Sequence, residues 1–393
     1  MYFLGGQILF GGGLIKAILL VIMVSGCVLH PRIRVAAILS STWLLCIGFL
    51  IVEIGYLIFA CGMSLGDVLL SYNDYYFLLL VGPALLVFRG AVSERVLIRC
   101  TILVFVICAA LAAAQHLTSS PILYTESVDG SFSISSWMFG GELRAFSLFG
   151  SAIEFGLLCA FSGALGIALT RTMPIRGSLL FLASGLACYT TLTRLSYLVF
   201  FGACTCSLVL TFGKKLSRGS WQPLLSFLLG LATIFIGLNS VTSADENVLQ
   251  DAGSLLGRID QWIFFSDLYR HSTLAHQMFG LGLVQDKSLL SLYGIVIDNV
   301  LLALLLHIGV VGLVLFGVLL TRMWIYLRRE AIATQQPFVI AAASLWATFA
   351  CAGIFDLLFG SFGAIFALAI LCERKSGHRT GSEPARVVGS TVT

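Results

Sequence analysis

The chain has 393 residues, of which 59% are hydrophobic and 11% are charged, and its formal net charge at pH 7 is +4. Apolar runs of about 20 residues recur along it, and that is the length an α-helix needs to cross the hydrocarbon core of a bilayer. This composition excludes a soluble globular domain and predicts an all-α, polytopic membrane protein. The small positive charge gives no indication of nucleic-acid binding.

Taken in chain order, the apolar runs predict about 11 to 12 transmembrane helices. Their approximate bounds are 7–29, 34–61, 74–88, 96–115, 148–170, 176–192, 195–213, 222–241, 309–327, 336–355 and 358–372, with a shorter half-helix or interfacial helix at 293–307. These segments form a single transmembrane domain, 1–373. The polar segment 374–393 is predicted to be a disordered cytoplasmic tail, because it is rich in Ser, Thr, Gly and charged residues.

Basic residues mark every second connection between these spans, and the positive-inside rule makes such connections cytoplasmic. They carry Arg32, Arg34, Arg89, Arg95, Arg99, Arg171, Arg176, Lys214, Lys215, Arg218, Arg328, Arg329 and the basic residues of the tail. The intervening connections then lie on the outer side, and two of them, 116–147 and 242–292, are long. The outer side receives Arg144, Arg194, Arg258, Arg270 and Lys287.

The second long connection, 242–292, is far longer than a simple link needs to be, and such loops are usually functional or disordered. Part of it has apolar residues at helical spacing, with charged and polar residues between them. This pattern predicts an amphipathic helix that lies on the outer surface or caps the bundle. The apolar positions are Leu255, Leu256, Ile259, Trp262, Ile263 and Leu268.

Three outer arginines, Arg144, Arg194 and Arg258, lie at the edges of apolar segments, where a cation is costly and usually has an anion to hold. Each also has a structural explanation. Arg194 is placed to anchor a helix to lipid headgroups, Arg144 to pair with Glu142, and Arg258 to pair with an aspartate on its own helix. Together, guanidinium groups on one face can converge on a diphosphate, since each offers a planar fork of donors. Further donors are predicted from the hydroxyls of Thr191, Thr193 and Ser196.

Several short motifs follow one another between about 140 and 320. They are Arg144-Ala-Phe-Ser-Leu-Phe-Gly, Thr193-Arg194-Leu-Ser, Gly257-Arg258-Ile-Asp-Gln-Trp262, Met278-Phe-Gly-Leu-Gly282, and Asp298-Asn299 with Gly309-Val-Val-Gly312. In this order and spacing they resemble the O-antigen ligase/polymerase superfamily. The number of predicted spans agrees with the dozen or so expected of that superfamily.

The resemblance implies an inverting glycosyltransferase of the GT-C type, metal-independent and without a cofactor, in the bacterial inner membrane with its active site facing the periplasm. Such enzymes take a glycan from undecaprenyl diphosphate and pass it to a sugar hydroxyl. Arg194 and Arg258 match the family's arginine motifs and would clamp the diphosphate, with Arg144 at the mouth of the same cavity. The implied partners are the undecaprenyl-diphosphate-linked oligosaccharide, membrane lipid, and possible flippase and chain-length regulator proteins.

Several residues compete for the role of proton acceptor. Ligases of the superfamily carry a His-Asn pair where this chain has Asp298-Asn299, and Asp298 either accepts a proton from the attacking hydroxyl or caps the half-helix that follows. His307 is either a packing residue or a substrate contact. Glu154 is an intramembrane carboxylate that is either functional or the ion-pair partner of an arginine. Two further alternatives lie in the second long loop: His271 and His276.

The missing histidine favours a polymerase, which joins lipid-linked repeat units of a surface polysaccharide such as O-antigen or exopolysaccharide. The nearest alternative is a ligase that transfers the finished glycan to the lipid A core. A lipid-linked oligosaccharide flippase is a weaker alternative, because the arginines cluster on one face only. A transporter or channel is disfavoured because intramembrane charge is sparse along most spans.

Overall fold

The computed structural model describes residues 37–62, 92–122, 138–139, 142–149, 151–213, 262–280, 300–348 and 368–369. This part of the chain is mostly helical. Its helices are α1 (Ala37–Phe59), α2 (Glu94–Thr118), α3 (Ala152–Thr170), α4 (Pro174–Tyr189), α5 (Arg194–Phe212), α6 (262–270), α7 (Leu274–Phe279), α8 (Val300–Thr334) and α9 (Pro337–Ala347). Within these residues the only strands are β1 (Met138–Phe139) and β2 (Glu142–Leu143), which pair antiparallel.

Four of the described helices are long and apolar enough to cross a membrane. They are Glu94–Thr118, Ala152–Thr170, Arg194–Phe212 and Leu304–Thr334. The prediction of helices in these parts of the sequence is confirmed, although their bounds differ by several residues. Predicted spans 7–29, 74–88 and 222–241 lie outside the described residues, as do most of 358–372 and the tail 374–393.

The starts of the helices follow local sequence signals. Ser151 is the N-cap of α3, and its hydroxyl accepts a hydrogen bond from the backbone N–H of Glu154 at 3.1 Å. This Ser-x-x-Glu spacing is typical of a capping box. Pro174 and Pro337 occupy the first turns of α4 and α9, where a missing N–H costs nothing.

Helix α3 is the centre of the described core, since nearly all of its residues are buried. Small residues let its neighbours approach closely. A Cβ added at Gly166 would lie 2.7 Å from the backbone nitrogen of Phe181, and one added at Gly177 would lie 2.6 Å from the carbonyl oxygen of Gly166. Helices in lipid associate through such close contacts, because no hydrophobic driving force exists between them. The packing of α3 against α4 therefore depends on these two glycines.

Connections that the charge pattern assigns to the same side meet at the same end of the bundle. At one end, Arg171 donates to Gln335 Oε1 at 2.5 Å, and the backbone N–H of Phe338 donates to Glu94 Oε1 at 3.1 Å. The opposite end is formed by residues 115–122, 144–149, 151 and 189–196, and we call it the rim. The candidate site residues Arg144, Glu154 and Arg194 all belong to the rim or its first helical turns.

Candidate functional site

The segments that bear Arg144 and Arg194 are joined at the rim. The backbone N–H of Ala145 donates to the carbonyl oxygen of Thr190 at 3.0 Å. Ala145 follows Arg144 directly, and Thr190 opens the short turn that leads into Arg194 at the start of α5. Two motifs about 50 residues apart in sequence are therefore in contact, and they carry two of the three predicted diphosphate ligands.

The two arginines have different environments. The side chain of Arg144 is half-buried, and its Nε atom is fully buried. The side chain of Arg194 is exposed. Arg194 is the first residue of α5, where the helix dipole disfavours a cation by about 0.3–1 kcal/mol. An anion bound at this position would remove that cost, which is consistent with the predicted role of the residue.

A buried glutamine outside the quoted motifs shapes the loop after Arg144. Gln115 is fully buried near the end of α2, and its Oε1 accepts hydrogen bonds from the backbone N–H groups of Phe146 and Ser147 at 3.2 and 2.8 Å. Its Nε2 donates to the carbonyl oxygens of Ser147 and Ile122 at 3.2 and 3.4 Å. The amide of Gln115 thus accepts hydrogen bonds from backbone N–H groups and donates hydrogen bonds to backbone carbonyl oxygens.

Ser147 completes this arrangement. Its hydroxyl donates to the carbonyl oxygen of Cys108 at 2.7 Å, and its backbone has a φ of 56°, which side-chain-bearing residues rarely adopt. The sequence contains a signal for Gln115, since the buried residues of α2 recur at helical spacing and end on this one polar side chain. The partners of Gln115 are distant in sequence and leave no such signal.

The hydroxyls near Arg194 are used within the protein. Thr191 and Ser196 are buried, and their hydroxyls donate to the carbonyl oxygens of Cys188 at 2.7 Å and Ala152 at 3.4 Å. The hydroxyl of Thr193 bonds to both of theirs. These groups fix the turn between α4 and α5, so Thr191 and Ser196 are not the ligand donors that the sequence predicts.

Glu154 lies in the first turn of α3 at the rim, and its side chain is half-buried. A carboxylate in this position is stabilised by the helix dipole, and its backbone N–H is already capped by Ser151. The structure therefore places Glu154 at the end of a span and not in its middle. It shares the rim with Arg144 and Arg194, which keeps it among the candidate site residues.

A second group of motif residues meets around a break in α8. Gly309 has φ 64° and ψ −173°, so the helix is interrupted there, as the predicted half-helix requires. A Cβ added at Gly309 would lie 2.6 Å from the backbone nitrogen of Gly280, and one added at Gly280 would lie 2.8 Å from that of Ile308. The Met278-Phe-Gly and Gly309-Val-Val-Gly motifs are thus in backbone contact through two glycines that nothing larger can replace. His307, just before the break, is buried.

The two loop histidines make local contacts. The Nδ1 atom of His276 lies 2.9 Å from the hydroxyl of Thr273, and its Nε2 lies 3.9 Å from the Sγ atom of Cys61 at the end of α1. The Nδ1 atom of His271 lies 2.8 Å from the carbonyl oxygen of Asp267. The imidazole of His271 therefore contacts its own segment, and that of His276 contacts both its own segment and the end of α1.

Of the segment predicted to form an amphipathic helix, residues 262–270 are helical. Its buried side differs from the prediction, since Phe265 is fully buried whereas Ile263 is 56% exposed. Arg258 and Asp298 lie outside the described residues, as does the part of the predicted helix before residue 262. Within the part of the chain that the structure describes, no group of three or more His, Cys, Asp or Glu side chains is placed to hold a metal ion.

No protein-family model matches this chain, and no curated protein matches it at a significant level. The resemblance given above therefore depends on the quoted motifs alone. What the fold adds is spatial contact between motifs that are separate in the sequence, at the rim and at the break in α8.

Proposed function

We propose that this protein is a polysaccharide polymerase of the O-antigen ligase/polymerase type. It would transfer a glycan from undecaprenyl diphosphate to a lipid-linked repeat unit at the outer face of the bacterial inner membrane, with the rim facing the periplasm. In this proposal the complete fold is a GT-C-like bundle of about 11 to 12 spans. The four helices long and apolar enough to cross a membrane are consistent with it.

The observation that carries the proposal is the contact between the Arg144 and Arg194 segments. The hydrogen bond from Ala145 to Thr190 holds two cation-bearing segments together at the end of an apolar bundle. Cations are expensive in such a position and are usually retained to bind an anion. A diphosphate attached to a lipid carries its charge at this depth, and two guanidinium groups match its oxygens with paired donors.

Arginines that bind the diphosphate would also promote the reaction. Negative charge develops on the diphosphate as the bond to the anomeric carbon breaks, so fixed cations at that group stabilise the transition state more than the ground state. The acceptor hydroxyl attacks from the opposite side of the sugar, which inverts the anomeric configuration. Asp298, Glu154 and His307 remain the candidate proton acceptors from the motif analysis, and Arg258 would be the third diphosphate ligand.

Purified protein in nanodiscs, incubated with an undecaprenyl-diphosphate-linked repeat unit without metal or nucleotide, tests the proposal. Wild-type protein is expected to give a ladder of products on a gel. Arg194→Ala is expected to lower kcat about 100- to 1000-fold, the usual cost of removing one group that stabilises developing negative charge. The matched control is Arg270→Ala, which removes a 76% exposed arginine 3.8 Å from Asp267 and should leave the ladder unchanged.

Other outcomes would point to the alternatives. Transfer to an added lipid A core acceptor, without a ladder, would replace the polymerase with a ligase. Movement of labelled lipid-linked oligosaccharide across a vesicle membrane, with no product of either kind, would favour the flippase. A ladder that Arg194→Ala leaves intact would remove the arginine clamp from the mechanism.

A further inference from the structure

The backbone that carries Arg144 is irregular, although it lies inside the helix bundle. Residues 144–147 belong to no helix or strand, yet Ala145, Phe146 and Ser147 are each at most 1% exposed. The hydroxyl of Ser147 donates to the carbonyl oxygen of Cys108, which lies more than two helical turns before the end of α2. Residues 144–147 therefore form a re-entrant segment that enters the bundle from the rim.

The backbone polar groups of this re-entrant segment are satisfied from α2 and from the turn before α5. Irregular backbone at membrane depth is tolerated only where the protein, or water in a cavity, satisfies its N–H and C=O groups. The amide of Gln115 bonds to the N–H groups of Phe146 and Ser147 and to the carbonyl oxygen of Ser147. The N–H of Ala145 donates to the carbonyl oxygen of Thr190. A continuous helix would need none of these bonds, so the buried amide serves to keep the segment at this depth.

The re-entrant segment is also held in a costly conformation. Ser147 has a φ of 56°, in the left-handed region that residues with a side chain rarely adopt. Such a conformation persists only where the surrounding structure over-determines it, and such positions cluster at functional sites. Here Gln115 fixes the backbone of Ser147, and the carbonyl oxygen of Cys108 fixes its hydroxyl. Arg144 is the charged residue of this segment.

We infer that Gln115 is a positioning residue for Arg144, and that it aims the guanidinium group at the diphosphate of the donor. This inference rests on the proposed function. Gln115 is fully buried and its amide is bonded to backbone, so it acts through the re-entrant segment and not on the substrate. A cation stabilises developing charge most when it is already in place before the reaction. Without the amide, the segment shifts and the guanidinium group leaves the position in which it meets the diphosphate oxygens.

A double-mutant cycle between Gln115→Met and Arg144→Ala tests this inference. Methionine has a similar length to glutamine but no amide. Two quantities are measured in nanodiscs: kcat/KM for ladder formation, and the Kd of a fluorescent undecaprenyl diphosphate. Gln115→Met is expected to lower kcat/KM by up to about 100-fold, the cost of a misplacement of about 1 Å, and to raise Kd. In the Arg144→Ala background the same change should alter either quantity less than about twofold, because the group that Gln115 positions is absent.

Two further variants separate positioning from a loss of stability. Ser207→Ala is the control: Ser207 is fully buried and donates to the carbonyl oxygen of Ala164 at 2.7 Å, about 20 Å along α5 from Arg194. It should lower the melting temperature and leave kcat/KM and Kd unchanged. Ser147→Ala removes the hydroxyl bond to Cys108 and keeps the backbone bonds to Gln115. It should give a smaller loss that also depends on Arg144, and it carries the same cycle if Gln115→Met does not fold.

The outcomes distinguish this inference from the proposed function. Losses of the same factor with and without Arg144 would show that Gln115 is purely structural and would overturn the inference. Unchanged kcat/KM and Kd in Gln115→Met would overturn it as well. A wild-type protein that binds undecaprenyl diphosphate but forms no product would reject the polymerase, and the cycle on Kd would still decide the role of Gln115. A wild-type protein that binds no undecaprenyl diphosphate would overturn both.

Discussion

Gln115 shows how one side chain determines the shape of a candidate site. Its amide makes hydrogen bonds with backbone groups of Phe146, Ser147 and Ile122, and all of it is buried. Two of these partners are backbone donors that would have no acceptor if the amide were removed. Each unsatisfied buried donor costs about 1 to 3 kcal/mol.

Gln115→Leu is therefore expected to destabilise the protein by about 2 to 6 kcal/mol, the cost of two buried donors without acceptors. Gln115→Glu keeps the accepting oxygen, but a carboxylate would face the two carbonyl oxygens to which the amide donates, so this variant should also be destabilised. Thermal unfolding in detergent, followed by circular dichroism, measures the difference. Thr118→Ala, one turn later on the exposed surface of α2, is the matched control. Equal melting temperatures for Gln115→Leu and the control would contradict the assigned role.

Residue types alone were a poor guide to the roles of the hydroxyls near Arg194. Thr191 and Ser196 are polar residues beside an arginine, which predicts ligand donors. In the structure their hydroxyls donate to carbonyl oxygens of Cys188 and Ala152 instead. The sequence does not contain this information, since the close approach of α3 and α5 decides which oxygen each hydroxyl meets.

At the scale of elements, glycines determine the break in α8. Gly309 has a positive φ, and a Cβ on it would overlap the carbonyl oxygen of Met278. An alanine at this position is disfavoured by both the backbone conformation and the contact. The sequence predicted a half-helix ending here, and the structure adds the backbone contact with Gly280 as the physical reason for the break.

Gly309→Ala is expected to lower the melting temperature, whereas Gly317→Ala, further along the same helix, should leave it unchanged or raise it. No atom lies within 4 Å of a Cβ added at Gly317, and alanine favours a helix over glycine by about 1 kcal/mol. The two variants make the same chemical change, so a difference between their melting temperatures measures the effect of the break in α8. Indistinguishable melting temperatures would show that α8 tolerates a continuous helix at Gly309.

At the scale of the whole molecule, apolar run length predicted the helices well. The four described helices that are long and apolar enough to cross a membrane coincide with predicted spans, because about 20 apolar residues have few alternatives to a membrane helix. Shorter elements were less predictable. Helices α4 and α9 have 16 and 11 residues, and their bounds depend on Pro174 and Pro337 at their starts. The contacts between motifs were not predictable in detail, since the resemblance gives their order but not their distances.

Labelling with a membrane-impermeant maleimide tests the orientation of the bundle. Ser120 at the rim and Thr172 at the opposite end are both exposed, so each can carry an introduced cysteine. In intact spheroplasts Ser120→Cys is expected to react, and Thr172→Cys should react only after permeabilisation, because the positive-inside rule assigns the basic connections to the cytoplasm. Wild-type protein gives the background from native cysteines. The reverse pattern would place the rim in the cytoplasm and remove the periplasmic site.

The central claim is that Arg144 and Arg194 hold the same diphosphate. A double-mutant cycle on kcat/KM with Arg144→Ala, Arg194→Ala and the double variant measures this most directly. Residues that bind one group as a unit are not additive, so the account predicts a coupling free energy of at least about 0.5 kcal/mol. Strictly additive losses would mean that the two arginines act on separate groups, which would contradict the shared clamp at the rim.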